Sequence, residues 1–372
     1  MKLVVIIPTY NEKTNIGRTI DDLETVFKQL PASAKMHILV IDDQSPDGTA
    51  EVVKVKAKEY GNITLLVNPN KAGLGAAYVK AFKYALDKLS SDAVFEYDAD
   101  GSHQPQYIPG MINELIKGAD VVVGSRYIPG GSMPQDWGIG RKLTSFIGNL
   151  ICRTALLTWQ YRDMTSGFRL TKTKWLKKID LDQLLSKQFA YKIHLYYALH
   201  SLGAKIVEFP IAFIDRSRGD SKFPRNNIKD SLRVVFTLAF RAHEKLVKVM
   251  LVGAVGTIVQ LLFFNLLRPF FNLNLAQNLA IEMAVISNFS LNNLWTFSTQ
   301  KFTFGRIGEL VKGFIKFNLA SLGSIIIQNV VLIVGVKLLG SNFWIENGLI
   351  VTGILIGLIW NYIMYTKVVW QK

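Results

Sequence analysis

"HILVIDDQSPDGT" (residues 37–49) sets four consecutive aliphatic residues before two aspartates and a turn. An uninterrupted apolar run of this length, closed by acids and a Pro-Asp-Gly turn, is the pattern of a strand buried on both faces. Such strands belong to parallel sheets covered by helices on both sides. The flanking sequence repeats the pattern. "KLVVIIPTYNE" (2–12) reads as a strand ending in a loop at Pro8 and Asn11, and "NITLLVN" (62–68), "DAVFEYDADG" (92–101) and "DVVVGSRY" (120–127) as three more. Between them, Ile16, Ile20, Leu23 and Phe27 recur at helical spacing. Residues 50–60, 73–89 and 107–118 also read as helices. Strands alternating with helices predict an α/β fold with a mostly parallel, doubly covered sheet. Ligands of such sheets bind beyond the carboxyl ends of the strands. The polar clusters after Ile7, Ile41, Tyr97 and Val123 all fall there, so they are expected to form one site.

From Val249 onward the composition changes. Residues 249–267, 317–336 and 347–366 are uncharged, and 273–297 carries only Glu282 as an ionisable group. A bilayer core needs about 20 apolar residues per helix, so four spanning helices are expected over these ranges. Arg241, Lys245 and Lys248 precede the first, Lys301, Arg306, Lys312 and Lys316 separate the second from the third, and Lys367 and Lys372 follow the fourth. The other two connectors hold only Arg268 and Lys337. The positive-inside rule then places both termini and the N-terminal domain in the cytoplasm. The apolar run in "MKLVVIIPTYNE" breaks at Pro8 and is too short for a signal peptide. A single cysteine, Cys152, excludes an intrachain disulfide and fits a reducing compartment. The formal net charge of +15 is accounted for by adhesion to an anionic membrane. No aromatic–basic motif points to nucleic acid. Residues 140–159 and 226–246 combine an apolar face with arginines and lysines, as helices lying in the headgroup plane do. The domain organisation read here is 1–225, an amphipathic interfacial helix at 226–246, and a transmembrane domain at 247–372.

Asp98-Ala99-Asp100 follows a strand and precedes a turn. Two ionised carboxylates this close raise each other's pKa unless a cation offsets them. Mg²⁺ typically takes one or two carboxylates and completes its shell with water and substrate phosphates, so the pair suits a metal bridging protein to a diphosphate. Asp42, Asp43, Ser45 and Asp47 at the end of the second strand can accept from a base and ribose, and Tyr10 can cover a ring face. "KAGLGAA" (71–77) lacks the P-loop pattern, and its glycines permit either close backbone approach or a tight helix start. Arg126, Arg141, Lys142, Arg216, Arg218 and Lys222 form a basic set whose guanidinium forks match phosphate oxygens.

In order along the chain, "VVIIPTYNE", "VIDDQSPDGT", "KAGLGAA", "YDADGSHQP", "VVVGSRY", "TSGFRL" and "RSRGDSKF" resemble the family 2 glycosyltransferases with a GT-A fold. Within that family they are most similar to the polyprenyl-phosphate sugar transferases of the dolichol-phosphate mannose synthase type. The C-terminal part resembles the GtrA-like four-helix membrane module, chiefly through "NFSLNNLWTF" (288–297). It also shows a faint duplication: "GTIVQ" and "GSIIIQ" open its halves, and "NNLWTF" and "YTKVVW" close them. The resemblance implies that Pro8, Tyr10, Glu12, Asp43, Lys71 and Asp98 bind a nucleotide sugar. It implies Asp98 and Asp100 as ligands of Mg²⁺ or Mn²⁺, and Arg126, Arg141, Ser166, Gly167, Arg216 and Lys222 around the acceptor phosphate. Ser102 departs from the glutamine of many relatives and is the third candidate ligand. The implied catalytic residues are Asp98, Asp100 and Arg126, with His103 in a supporting role. The implied reaction moves a hexose, mannose from GDP-mannose or else glucose from UDP-glucose, to dolichyl (polyprenyl) phosphate. A lipid phosphate is already ionised near neutral pH, so in-line attack with inversion needs orientation rather than a strong base. A role of the membrane module in moving the lipid-linked sugar is the reading of another class, with Glu282, Asn288, Asn292 and Asn293 as its polar groups. A processive synthase is disfavoured because the chain has no Q-x-x-R-W signature.

Overall fold

The computed structural model describes residues 1–69, 71–215, 227–267, 269–271, 273–302, 307–340 and 342–370. It divides into two units, Met1–Ala239 and Phe240–Lys372.

The first unit is built on a seven-stranded sheet of β1 (Lys2–Thr9), β2 (Lys35–Asp42), β3 (Ile63–Val67), β4 (Ala93–Glu96), β5 (Val121–Ser125), β6 (Arg169–Lys172) and β7 (Ile206–Pro210). The order is β3-β2-β1-β4-β6-β5-β7. Only β6 is antiparallel to its neighbours. The continuous apolar runs are explained by the two faces. Val4, Ile6, Leu39 and Ile41 pack with α3 (Leu74–Asp87) and α7 (Tyr191–Ser201), whereas Leu3, Val5, Ile7, Ile38 and Val40 pack with α1 (Lys13–Phe27), α2 (Thr49–Tyr60) and α4 (Ile108–Ile116). Alternate residues serve opposite cores, so the middle of β1 leaves no position for a polar side chain.

Two elements differ from the sequence reading. β4 stops at Glu96, short of the strand drawn over 92–101, and Asp98 and Asp100 sit on the turn that follows it. The Tyr97 hydroxyl donates to the His103 carbonyl and folds that turn back on itself, with Gly101 at φ +79°. The second surprise is β6, a short strand with charges at both ends, which is central because Arg169 finds a partner across the ladder.

α5 (Ile139–Ala155) and a one-turn helix, α6 (Thr173–Leu176), lie on either side of β6 in sequence. On α5, Ile139, Leu143, Phe146, Ile147 and Leu150 recur on one face and remain exposed, Ile139 to 85%. α8 (Asn227–Ala242) behaves differently. Its Val234, Val235 and Leu238 are buried in the α3–α7 core, while Ile228 and Phe236 stay exposed. The helix expected at 226–246 is thus partly a packing helix of the first unit. It ends before α9 (Glu244–Leu267) begins.

The second unit comprises α9, α10 (Leu273–Leu291), α11 (Ile307–Leu339) and α12 (Phe343–Met364). α9 packs on α10 and α11 on α12. Large apolar side chains such as Ile258, Leu262, Leu319, Ile326 and Ile333 face outward, as lipid-facing residues do. Among the described residues, Glu244–Leu267 is long and apolar enough by itself to cross a bilayer, with a hydropathy of 2.1. The sequence duplication has a structural counterpart. Asn292–Thr296 and Tyr365–Val369 each close their half with a widened helical turn, and the following rings, Phe297 and Trp370, stack at 4.4 Å and 6°. Asn293 clamps this closure: its Oδ1 accepts from Phe302 N and Trp370 Nε1, and its Nδ2 donates to Phe302 O. Gly256 makes room for Asn288 and Gly323 for Trp360, so the glycines that open the two repeats do corresponding packing work.

Candidate active site

β2, β1, β4, β5 and β7 run in one direction, so the loops after them emerge at one edge of the sheet, and the loop leading into antiparallel β6 begins there too. This topology brings together Tyr10 and Glu12 (after β1), Asp43 (after β2), Asp98, Asp100 and Ser102 (after β4), Arg126 (after β5), and Ser166 and Gly167 (before β6). Pro8 is the penultimate residue of β1, opposite Ile41. The chain order changes direction around β1, the switch point where α/β sheets open a crevice.

The acids after β2 divide their labour. Asp42 is consumed locally, accepting from Thr9 Oγ1 at 2.8 Å and from Ser45 N and Oγ at 2.9 and 2.6 Å. Asp47 is likewise spent on the backbone N–H groups of Lys13 and Thr49 and on the Thr49 hydroxyl. Asp43 accepts from Asn68 Nδ2 at 2.9 Å. Burial pushes its carboxyl above the ordinary range, and Asn68 works in the opposite direction. Glu12, at the start of α1, accepts from Asn15 Nδ2, and its backbone N–H donates to Thr49. Lys71 Nζ stands 3.3 Å from the centre of the Tyr10 ring. The glycines of "KAGLGAA" serve close approach, but to the chain itself: side chains at Gly73 and Gly75 would run into the backbone of residues 186–188.

Asp98 and Asp100 are half-buried with Ala99 between them. Thr19 Oγ1 donates to Ala99 O at 2.8 Å, and Ser102 N to Asp100 Oδ1 at 3.1 Å, so the turn is anchored from both sides. His103 is buried and stacks on Phe168. Its Nδ1 accepts from Asp98 N, which leaves the ring proton on Nε2, 3.6 Å from Asp98 Oδ2. Burial holds the imidazole below its usual pKa, with Asp98 opposing that shift. His103 therefore fixes the Asp98 backbone rather than serving as a base. Asp98, Asp100 and buried Ser102 carry only oxygen donors, the chemistry that suits Mg²⁺ or Mn²⁺ with substrate oxygens completing the shell.

Across the site the basic residues are not uniformly available. Arg126 donates through Nε and Nη2 to both oxygens of Asp163, at 2.7 and 2.8 Å, and through Nη2 to Thr165. Burial alone would raise the Asp163 pKa, but Arg126 outweighs it and holds the carboxyl low. Among the described residues, Arg126 Nη1 donates to none. Arg141, in the first turn of α5, pairs with Asp215 at 2.6 Å and stacks on Trp137 at 3.9 Å. Ser166 Oγ accepts from Phe168 N at 3.3 Å. Arg216 and Lys222 lie outside the described residues. Sequence reasoning missed the buried partners: Asp163, Glu96 against Arg169, and Glu208, which accepts from the N–H groups of Arg162 and Asp163. The one available signal was a charge set inside an otherwise apolar stretch, as Arg169 is in "GFRL".

Residues 4–180 match the family model described as "Glycosyl transferase family 2", and residues 248–370 that described as "GtrA/DPMS, transmembrane domain". Over 222 residues, 60% of this chain and 87% of the relative, the sequence is 38% identical to an undecaprenyl-phosphate mannosyltransferase of Micrococcus luteus. The chain belongs to glycosyl transferase family 2. A polyprenol monophosphomannose synthase of Mycolicibacterium smegmatis is 36% identical over 232 residues, 62% of this chain and 84% of that protein. A dolichol-phosphate mannosyltransferase of Pyrococcus furiosus is 29% identical over 377 residues, 100% of this chain and 99% of that protein. The first unit is accordingly a GT-A glycosyltransferase domain, and the second belongs to the GtrA/DPMS membrane module, which makes this a membrane protein.

Proposed function

We propose that this enzyme transfers mannose from GDP-mannose to a polyprenyl phosphate, with inversion, at the cytoplasmic face of the membrane. The observation that carries the reading is the convergence of Asp43, Asp98 and Asp100 with Arg126 at one sheet edge, in a chain that is 38% identical over 222 residues to an undecaprenyl-phosphate mannosyltransferase. Asp43 and Glu12 accept from the base and ribose, and Tyr10 with Lys71 lines the nucleotide. Asp98 and Asp100, with Ser102, would hold Mg²⁺ or Mn²⁺, which when bound would supply positive charge for the diphosphate leaving group. Arg126, Arg141, Ser166 and Gly167 face the lipid phosphate, joined by Arg216 and Lys222 in the family reading. No side chain is asked to deprotonate the nucleophile, which matches a His103 held neutral and tied to the backbone. The uncovered apolar face of α5 rests on the bilayer that supplies the acceptor.

A donor screen on the full-length protein in detergent tests the assignment, using Mn²⁺ or Mg²⁺, a short polyprenyl phosphate, and GDP-mannose, UDP-glucose or UDP-N-acetylglucosamine. The expected result is mannosyl phospholipid with release of GDP. Glucose transfer from UDP-glucose with no turnover of GDP-mannose overturns the donor, and no nucleoside diphosphate from any of the three overturns the function.

A further inference from the structure

Of the arginines described in the first unit, Arg18, Arg126, Arg141, Arg169 and Arg233 each pair with a carboxylate. Among the described residues Arg153 and Arg162 pair with none, and both line one hollow beside the second half of α5. Tyr127, Phe146, Asn149 and Leu150 make its other walls. The neutral polar groups there are already spent. Asn149 Nδ2 donates to Ser145 O and to Thr165 Oγ1, its Oδ1 accepts from Met164 N, and the Tyr127 hydroxyl donates to Ser145. The Arg162 backbone is fixed by Glu208, which accepts its N–H at 2.8 Å, and its side chain is exposed. The charge of the hollow is therefore that of two guanidinium groups.

Arg153 also interrupts an apolar stripe. Leu143, Phe146, Ile147 and Leu150 stand exposed on α5, and Arg153 takes the place three residues on, where the helical period calls for another apolar side chain. Its Nη2 donates to Trp159 O at 3.1 Å, and its guanidinium carbon lies 5.2 Å from the centre of the exposed Trp159 ring. Its Nε is buried and has no acceptor. A buried donor left unmet is costly, so the chain leaves Arg153 with hydrogen-bonding capacity that an outside acceptor can use. A cation between exposed aliphatic residues and a tryptophan matches the level where headgroups meet acyl chains, the level that tryptophan favours in membrane proteins.

We propose that this hollow is a lipid site separate from the transfer site, in which Arg153 and Arg162 hold the phosphate of an acidic bilayer phospholipid. Guanidinium forks match phosphate oxygens, and the lipid's chains would run along Phe146 and Leu150. Two cations with no carboxylate partner favour a headgroup of net negative charge over a zwitterionic one. The inference rests on α5 lying on the bilayer, as in the function proposed above, and is independent of which sugar is moved.

Native mass spectrometry of the full-length protein in neutral detergent tests it, with short-chain phosphatidylglycerol as probe and phosphatidylcholine of the same chains as control. The wild type should hold one phosphatidylglycerol that Arg153→Gln/Arg162→Gln loses. Each arginine removed should weaken that binding by about 5-fold and leave phosphatidylcholine binding unchanged. Arg153→Lys keeps the charge without the fork and should fall between wild type and Arg153→Gln. If Arg153→Gln lowers the melting temperature, Arg162→Gln, at an exposed side chain, carries the comparison alone. Equal phosphatidylglycerol affinity in wild type and variants overturns the inference, and so does an equal loss of both phospholipids, which would mark a merely apolar contact. A raised KM for polyprenyl phosphate with phosphatidylglycerol binding untouched would give the hollow to the acceptor and also overturn it. The mass readout needs no turnover, so a protein that transfers no mannose loses the proposed function while the lipid site is still decided.

Discussion

On the β1–β2 side of the site, Asp42 is held by Thr9 and Ser45 and Asp43 by Asn68, all neutral donors; on the β5–β6 side, Asp163 and Glu96 are each gripped by an arginine fork. The first arrangement keeps negative charge at the sheet edge, ready for groups that donate or for a cation. The second cancels charge internally and makes a rigid neutral floor. Replacing one member of a floor pair strands the other without a partner, so the largest effect is expected there. Asp163→Asn should cost about 3–5 kcal/mol of stability, read as a lowered melting temperature of the detergent-solubilised protein. The sign with pH follows from the direction of the shift. Arg126 holds the Asp163 carboxyl below its ordinary 3.8, so the pair stabilises the fold fully above that value. That increment is lost as pH falls through the depressed pKa, and Asp163→Asn should lack this part of the acid dependence. An Asp163→Asn protein as stable as wild type would show that the floor does not depend on paired charge.

The next two effects belong to the open side. Asp100→Asn keeps the shape of the turn and removes one charge from the metal set, so kcat should fall about 10²- to 10³-fold with little change in melting temperature. Full activity of that variant in Mn²⁺ would remove the metal assignment. Asp43→Asn should raise the donor KM by about 10-fold and leave the lipid KM unchanged. Burial raises the Asp43 pKa, so this carboxyl takes up its proton at a higher pH than an ordinary aspartate. Donor affinity in the wild type should therefore weaken as the solution is acidified, beginning above pH 3.8, and Asp43→Asn should flatten that limb.

The same contrast explains what could be read beforehand. The strands around "VVII" and "ILVI" were legible because every position is buried on one face or the other, and a polar residue can appear only where the strand ends. Tyr10, Asp43, Asp98 and Asp100 are those ends, so the open side of the site was visible as a row of terminated apolar runs. The floor was not, because its pairs join residues distant in sequence: Arg126 with Asp163, and Arg169 with Glu96. Their meaning depends on β6 entering the sheet antiparallel between β4 and β5, which no local periodicity encodes. Likewise the strand drawn through Asp98 ended early, because the Tyr97 hydroxyl reaches ahead to the His103 carbonyl and a turn replaces the pleat. In the second unit the apolar runs announced helices, but the stacking of Phe297 on Trp370 follows from a widened turn at the end of each half.

The smallest effect is expected at the rim of the open side, where Lys71 stands over the Tyr10 ring at 3.3 Å. Lys71 is exposed, so its cation–π contact is worth about 0.5–1 kcal/mol, and its charge also helps keep Asp43 ionised. Lys71→Met removes both terms and should raise the donor KM about 2- to 5-fold at low salt. Salt screens an exposed charge within roughly 10 Å at 0.1 M, so the gap between variant and wild type should narrow as ionic strength rises. Tyr10→Leu removes the ring but leaves the charge beside Asp43, and its deficit should be nearly independent of salt. If Lys71→Met were instead as damaging as Asp100→Asn, and equally so at high salt, then Lys71 would be a direct phosphate contact. The donor side would then depend on a fixed cation of its own, and the division between an open acidic side and a neutral floor would no longer describe the site.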